Sequence, residues 1–421
     1  MAPERPISSE KPGAFVAQLR EIRDDPALRL YGCALALTHA LTMLFWREIG
    51  ASDFLARGTE SICWPLVPGC EALKVLPEGP LAWVLRGYFV AGLGVAALFV
   101  LPRFFRAAYA GLAALTLFKL VFLALDFRLR LNQHYMLLWV SAVFLLVPSK
   151  RDALRVLLVL FYVWASTLKF NADWISGAAL PVRSWIIPES LIVAACVYLI
   201  VLELVVSWGL LARNRWMFWG ALGQLLVFHA VSWQQVGFFF PTMMFLLLTI
   251  FPLARFIPGG APEPSLFSRL IRFRTRRAVY GVMVAFSLMQ LPPLLIPGDA
   301  AITGEGRLYA LHMVDAGVTC RGRALVHRAD GSTVEVSLSG RTITRIACDP
   351  IVVTERARNI CRGSSPLVSG AVELDLVLTS RRRSATEEQT VIDLPGFCAR
   401  DIRYNPVGRN WWIQAAKTPG R

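Results

Sequence analysis

Residues 154–174 read LRVLLVLFYVWASTLKFNADW. The stretch begins as an apolar run suited to a lipid bilayer and ends in a lysine, an asparagine, an aspartate and a tryptophan. Tyr162, Ser166, Lys169 and Asp173 recur at helical spacing, which predicts one shared face if a helix runs through all four. An ionisable side chain at the end of a membrane helix is costly and marks a functional candidate. The plainer alternative is a lysine that snorkels to the interface with Asp173 as its partner.

The surrounding chain makes the membrane reading general. Of 421 residues, 55% are hydrophobic and only 17% charged, and the mean hydropathy is +0.51. A soluble domain carries about a quarter charged residues. The expected fold class is therefore a polytopic α-helical membrane protein. Nine apolar runs of roughly bilayer-crossing length, about 20 residues, are expected near 29–47, 81–101, 104–126, 133–148, 152–171, 190–212, 215–233, 237–256 and 278–296. Residues 1–28 are expected to form a cytoplasmic N-terminal segment without a cleavable leader, 29–296 the transmembrane domain, and 297–421 a small β-rich extracytoplasmic domain.

The net charge of +15 suggests nucleic acid only where basic residues share a folded surface. Here they fall in short loops, and no nucleic-acid partner is expected. Lys11, Arg20, Arg23 and Arg29, then Arg103 and Arg106, Lys150 and Arg151, Arg213 and Arg215, and the run from Arg255 to Arg277 all lie on one side if there are nine spans. That side is then cytoplasmic, in what the reading takes as a plasma (inner) membrane. The segment SLFSRLIRFRTRR within 256–277 reads as a basic surface helix on anionic lipid. Cys63, Cys70, Cys320, Cys348, Cys361 and Cys398 fall on the opposite side, where disulfides form. Cys63 with Cys70 is the simplest pair, and the other four allow three connectivities.

Beyond Pro297, ALVHRADG, STVEVSLSG and AVELDLVLTS alternate apolar and polar residues between turn signals, with RADGS as a hairpin turn and TERARNICRG as a short helix. Polar residues also gather at the expected outer ends of the spans. Asn132 and His134 open the fourth, Lys169, Asn171 and Asp173 close the fifth, and His229, Ser232, Gln234 and Gln235 close the seventh. Glu203 lies mid-span and must be paired or neutral, with Lys119 and Arg86 as candidate partners. His39 and Asp126 are further buried polar groups without an assigned role. No phosphate-loop, hydrolase or zinc-ligand pattern occurs, and no metal is expected. Paired broken helices, the mark of many transporters, are also lacking.

LNQHYMLLWVSAVFLLVPS, STLKFNADWISG, LELVVSWGLLARNR and LLVFHAVSWQQVGFFFP, in that order, resemble the HTTM family, whose membrane domain is shared with vitamin K-dependent gamma-glutamyl carboxylase. The resemblance is strongest over 130–245 and extends more thinly over 30–412, where GRLYALHMV and SLSGRTITRIACDP fit later segments. The family's paired lysines followed by Leu-Asp-Ala-Asp-Trp become Leu168, Lys169, Phe170, Asn171, Ala172, Asp173 and Trp174, so the first lysine and the first aspartate are replaced. The resemblance implies Lys169 as a base, with His134 and His229 as catalytic partners. It places Asn132, Trp164, Asp173 and Trp174 around a cofactor, reduced vitamin K or another quinol. Membrane lipids and a peptide or protein substrate at the external face are the implied partners. The chain is shorter than an animal carboxylase. A non-catalytic lipid- or quinone-binding protein, or a membrane anchor for a partner, is the alternative.

Overall fold

The computed structural model describes residues 14–180, 182–257, 277–312, 318–338, 344–365, 367–368 and 371–414. It is mostly helical, with one small antiparallel sheet near the C-terminus. The principal helices are α1 (Ala14–Asp24), α2 (Pro26–Glu48), α3 (Glu78–Val100), α4 (Phe105–Leu125), α5 (Asn132–Leu146), α6 (Lys150–Thr167), α7 (Ala172–Ile175), α8 (Ile192–Leu204), α9 (Arg215–Val236), α10 (Phe239–Leu248), α11 (Ile250–Phe256), α12 (Arg277–Gln290) and α13 (Pro350–Cys361).

Among the described residues, five segments are long and apolar enough to cross a membrane: Pro26–Glu48, Glu78–Val100, Pro102–Leu125, Glu189–Leu211 and Phe239–Phe256. The other expected spans are helical but lack one attribute. α5 and α12 have 15 and 14 residues. α6 opens with Lys150, Arg151, Asp152 and Arg155, and α9 ends among His229, Gln234 and Gln235. The basic segment 265–276, Lys11 and Met313 lie outside the described residues.

Asp25 starts α2 by accepting hydrogen bonds from the backbone of Ala27 and Leu28, with Pro26 at the first helical position. The same carboxylate takes Arg151 Nη2 at 2.7 Å. Glu21 accepts the backbone N–H groups of Ser149 and Lys150 at 3.1 and 2.6 Å. These contacts clasp one end of the bundle. Burial pushes the Glu21 carboxyl above its ordinary value, against those two hydrogen bonds.

The sheet closes the other end. Its order is β2 (Thr333–Ser337), β1 (Val318–Arg328), β3 (Ala371–Arg382), β4 (Gln389–Leu394), all antiparallel. The expected hairpin forms at RADGS, where Gly331 takes the positive φ of +80° that the turn requires. Alternate residues Ala324, Val326, Leu374, Leu376 and Leu378 point inward onto Val353, Ala357 and Ile360 of α13. Disulfides join Cys63 to Cys70, Cys320 to Cys348 and Cys361 to Cys398, choosing one of the three open connectivities.

Sheet and bundle meet through a small apolar cluster that includes Ile62, Phe127, Leu308 and Val352, and through a buried ion cluster beside it. Asp126, fully buried, takes Lys74 Nζ at 3.0 Å and Arg128 Nε and Nη2 at 2.8 Å each. Glu60 takes Arg356 Nε at 3.5 Å and Arg128 Nη1 at 3.8 Å. Burial pushes the Lys74 ammonium below its ordinary value, and Asp126 pulls it back up.

Asp126→Asn removes the carboxylate that two buried cations share. The expected cost is about 3–5 kcal/mol, read as a lower melting temperature of the purified protein. With its folded value further below the ordinary lysine value of about 10.4, Lys74 holds fewer protons in the folded than in the unfolded chain, so the variant gains stability as pH rises toward that value. A variant that melts like the parent protein, or that weakens with rising pH, contradicts this reading of the cluster.

Candidate functional site

The central stretch does not continue as one helix. α6 ends at Thr167, and Asn171 is extended, with φ −150° and ψ 158°. Its side chain accepts the Trp174 N–H at 3.0 Å and donates to Leu168 O at 2.9 Å, ending one helix and capping the next. The single face expected for Tyr162, Ser166, Lys169 and Asp173 is therefore broken. Lys169 and Asp173 point to different bodies.

Lys169 turns back into the bundle. Its Nζ donates to Glu203 Oε2 at 2.5 Å and to Ala165 O at 3.2 Å, and lies 5.1 Å from the centre of the Trp174 ring. The side chains of Lys169 and Glu203 are 1% and 2% exposed. The expected partners of Glu203 are thus corrected. Lys119 instead donates to Thr42 Oγ1 at 3.0 Å, and Arg86 lies over the Trp83 ring. α8 carries Glu203 to its place and then tightens into a 3-10 turn, Val206–Leu211.

Asp173 faces the sheet. It accepts Ser384 N at 3.2 Å and the Ser384 hydroxyl, and takes Arg382 Nη1 at 3.5 Å. Arg382 also grips Asp299 at 2.5 and 2.7 Å. Arg183, in the loop before α8, pairs with Glu189 and not with Asp173. Gly177, at φ +80°, lets the chain after α7 pack so closely on α8 that a Cβ there would collide with Ile192.

A cavity of about 720 Å³ lies beside the lysine, between the α6–α7 turn, α8, α9 and the start of α5. Its walls are mostly apolar, among them Phe45, Leu199, Leu202 and Phe240. Lys169, Trp174, Asn132 and Gln133 supply polar groups, and the wall includes no aspartate or glutamate among the described residues. Asn132 is 3% exposed. Its Oδ1 accepts His312 N at 3.1 Å, while its Nδ2 and the Oε1 of Gln133 are buried without a hydrogen-bond partner. On the outer surface, exposed Tyr198 of α8 and Val227 of α9 also belong to the wall, so the cavity reaches the apolar side of the bundle between these helices. Tyr198 OH donates to Gln224 Oε1 across that gap. At the sheet side the rim is polar, with Ser184, Gln234, Gln235 and Arg383.

The remaining expected residues are spread around this cavity rather than on it. His229 Nε2 meets Tyr162 OH at 2.7 Å, in a small void that also touches Glu203. Phe228 and Phe240 separate that void from the larger cavity, since both line each. His134 Nε2 accepts Trp46 Nε1 at 3.0 Å, so a neutral ring carries its hydrogen on Nδ1, which is buried without a partner. His134 packs on Phe45 and Phe239. Trp164 donates to Ser287 Oγ at 3.1 Å, on the side facing α12. Of the seven expected site residues, Lys169, Asn132 and Trp174 line the cavity, Asp173 braces it from behind, His229 is one aromatic layer away, and His134 and Trp164 are off the described wall. Arg383 was not foreseen, because nothing in the sequence ties a β-hairpin tip to a helix turn some two hundred residues earlier.

Comparison with known proteins finds no match to a family model, a curated protein or a solved structure.

Glu203→Gln leaves Lys169 buried without its counter-charge. A loss of about 3–5 kcal/mol in stability is expected, and the double replacement Lys169→Met with Glu203→Leu should recover most of it. Thermal melting of the three purified proteins reads this directly. Equal melting of the parent and Glu203→Gln would mean that the pair is not a structural ion pair.

Proposed function

We propose that this protein is an integral membrane enzyme that binds a lipophilic quinol in the Lys169 cavity and modifies a carboxyl-bearing peptide or protein at the outer face, in the manner of the vitamin K-dependent carboxylases it resembles. The observation that carries the reading is a buried amine on the wall of an apolar cavity that reaches the lipid-facing side of the bundle. The volume, about 720 Å³, lies within the range of about 300–1,000 Å³ typical of small-molecule sites. Orphaned Asn132 Nδ2 is a donor for a ring oxygen, and Gln133 Oε1 an acceptor for a ring hydroxyl.

In this reading the Lys169–Glu203 pair rests with one proton between them and takes a second from a quinol hydroxyl: with the shared proton on Glu203 the amine has a free lone pair, the quinol O–H bond breaks and an N–H bond forms on Nζ. Glu203 fixes the direction of the amine and keeps the resting pair free of net charge, because one proton is shared between amine and carboxylate. Asp173 does not compete for the amine, since Arg382 and Ser384 hold it. When bound, the reduced quinone supplies, with oxygen, the strong base that removes a γ-proton of glutamate before carbon dioxide adds. His229 and Tyr162 form a hydrogen-bonded pair close to Glu203 and support the site from the interior.

The same reading places nine spans in a plasma membrane, with the N-terminus cytoplasmic and the sheet outside. The clasp at one end and the disulfide-bearing sheet at the other support it. An engineered cysteine at position 266 should resist an impermeant thiol reagent in intact cells, and labelling there would overturn the orientation. A non-catalytic quinone or lipid binder is the rival, favoured by one observation: Lys169 already has two strong hydrogen-bond acceptors.

Lys169→Arg separates the two. Arginine keeps the charge and cannot yield its proton. Mass spectrometry of membrane and secreted proteins should find carboxylated glutamates with the parent protein and none with Lys169→Arg, at equal amounts of inserted protein. Undiminished modification with Lys169→Arg would remove the base role.

A further inference from the structure

The sheet-side rim carries a charge that the base chemistry leaves unused. Three arginines run from the end of β3 into the tip that follows it, Arg381 and Arg382 as its last residues and Arg383 just beyond. Arg381 Nη1 donates to Ala385 O at 2.9 Å within the turn. Arg382 is held by Asp299 and Asp173. Arg383 is different: it lines the cavity, its Nη1 donates to Leu180 O at 3.0 Å, and no carboxylate pairs with it among the described residues.

The placement is built rather than accidental. The Arg382 grip on Asp173 and Asp299 and the two Ser384 hydrogen bonds to Asp173 pin the hairpin tip to the α7 turn. These bonds fix Arg383 at the rim. With Lys169 neutralised by Glu203, Arg383 is the one uncompensated cation among the described lining residues, and no acidic residue on that wall opposes it. The rim beside it is polar, with Ser184, Gln234 and Gln235, unlike the apolar gap at Tyr198 and Val227. Two entrances of opposite character thus serve one cavity. An apolar ligand enters between α8 and α9, and a water-borne group enters beneath the sheet. A guanidinium at the polar entrance selects a planar anion, which it can bind through two parallel N–H···O bonds.

The geometry points to Arg383 as the residue that selects a carboxylate, the acidic side chain of a peptide, at the sheet-side mouth of the cavity. This rests on the enzymatic reading above and names the residue that recognises its second substrate. The anion binds through Arg383 whether or not Lys169 can act as a base, so the two readings fail separately.

The test uses the full chain in lipid nanodiscs, with a glutamate-rich peptide and its glutamine counterpart as probes. The parent protein should bind the glutamate peptide at least about tenfold more tightly, as one charge-assisted contact provides. Arg383→Gln should erase the preference, Arg383→Lys should keep part of it, and Lys169→Arg should leave it intact. Arg381→Gln, on the same turn but tied within it, should also leave it intact and so controls for damage to the hairpin. Equal binding of both peptides by the parent protein, or a preference that survives Arg383→Gln, overturns the assignment. So does a result in which only oleate, and neither peptide, binds in an Arg383-dependent way, because the mouth would then recognise an anionic lipid.

Discussion

The contact between Lys169 and Glu203 constrains the rest of the site. Two side chains of opposite charge lie within an apolar bundle at 2.5 Å, each almost fully buried. Lipid and aliphatic walls satisfy neither group, so each holds the other in place. The pairing draws α8 against the end of α6 and sets the wall of the cavity. It also explains why the chain breaks after Thr167. A straight continuation would carry the residues that follow into line with the lysine, whereas the Asn171 cap turns them toward the sheet.

That turn makes residues 169–173 a joint between two bodies. The lysine is tied to the membrane bundle through Glu203, and Asp173 to the sheet through Arg382 and Ser384. The sheet is therefore part of the site. Its hairpin tip supplies the cavity rim, and its stability relies on the nearby cluster of Asp126, Lys74 and Arg128. The cavity reaches the apolar side of the bundle between α8 and α9 and has a polar rim on the sheet side, which suits the proposed reaction between an apolar cofactor and a soluble substrate. The two histidines serve this arrangement at a distance, through hydrogen bonds to Trp46 and Tyr162.

Much of the fold was legible in local pattern. Apolar runs located the helices, period-two alternation located β1, β2 and β3, and Asp-Gly marked the hairpin. Asn132, Lys169 and Trp174 were found as polar residues at span ends, and they do share a cavity. What sequence could not supply was partnership across the chain. Glu203 was recognised as needing a counter-charge, but the partners expected for it were Lys119 and Arg86, and only the placed helices bring Lys169 to it. The Asn171 cap was hidden because the apolar period persists up to Leu168. His134 and Trp164 were assigned through the family resemblance, while the direction of each side chain about its helix turns them toward Trp46 and Ser287. Arg383 lies in a run of three arginines whose separate fates depend entirely on tertiary contacts.

The central claim is that a quinol occupies the cavity against Lys169 and Trp174. Tryptophan fluorescence of the purified full chain, titrated with vitamin K hydroquinone, tests it most directly. The account predicts saturable quenching that weakens in Trp174→Phe and disappears when Leu199→Trp fills the cavity. Quenching that is linear in added hydroquinone, or unchanged by filling the cavity, would show that the ligand only partitions into the surrounding detergent and would contradict the account.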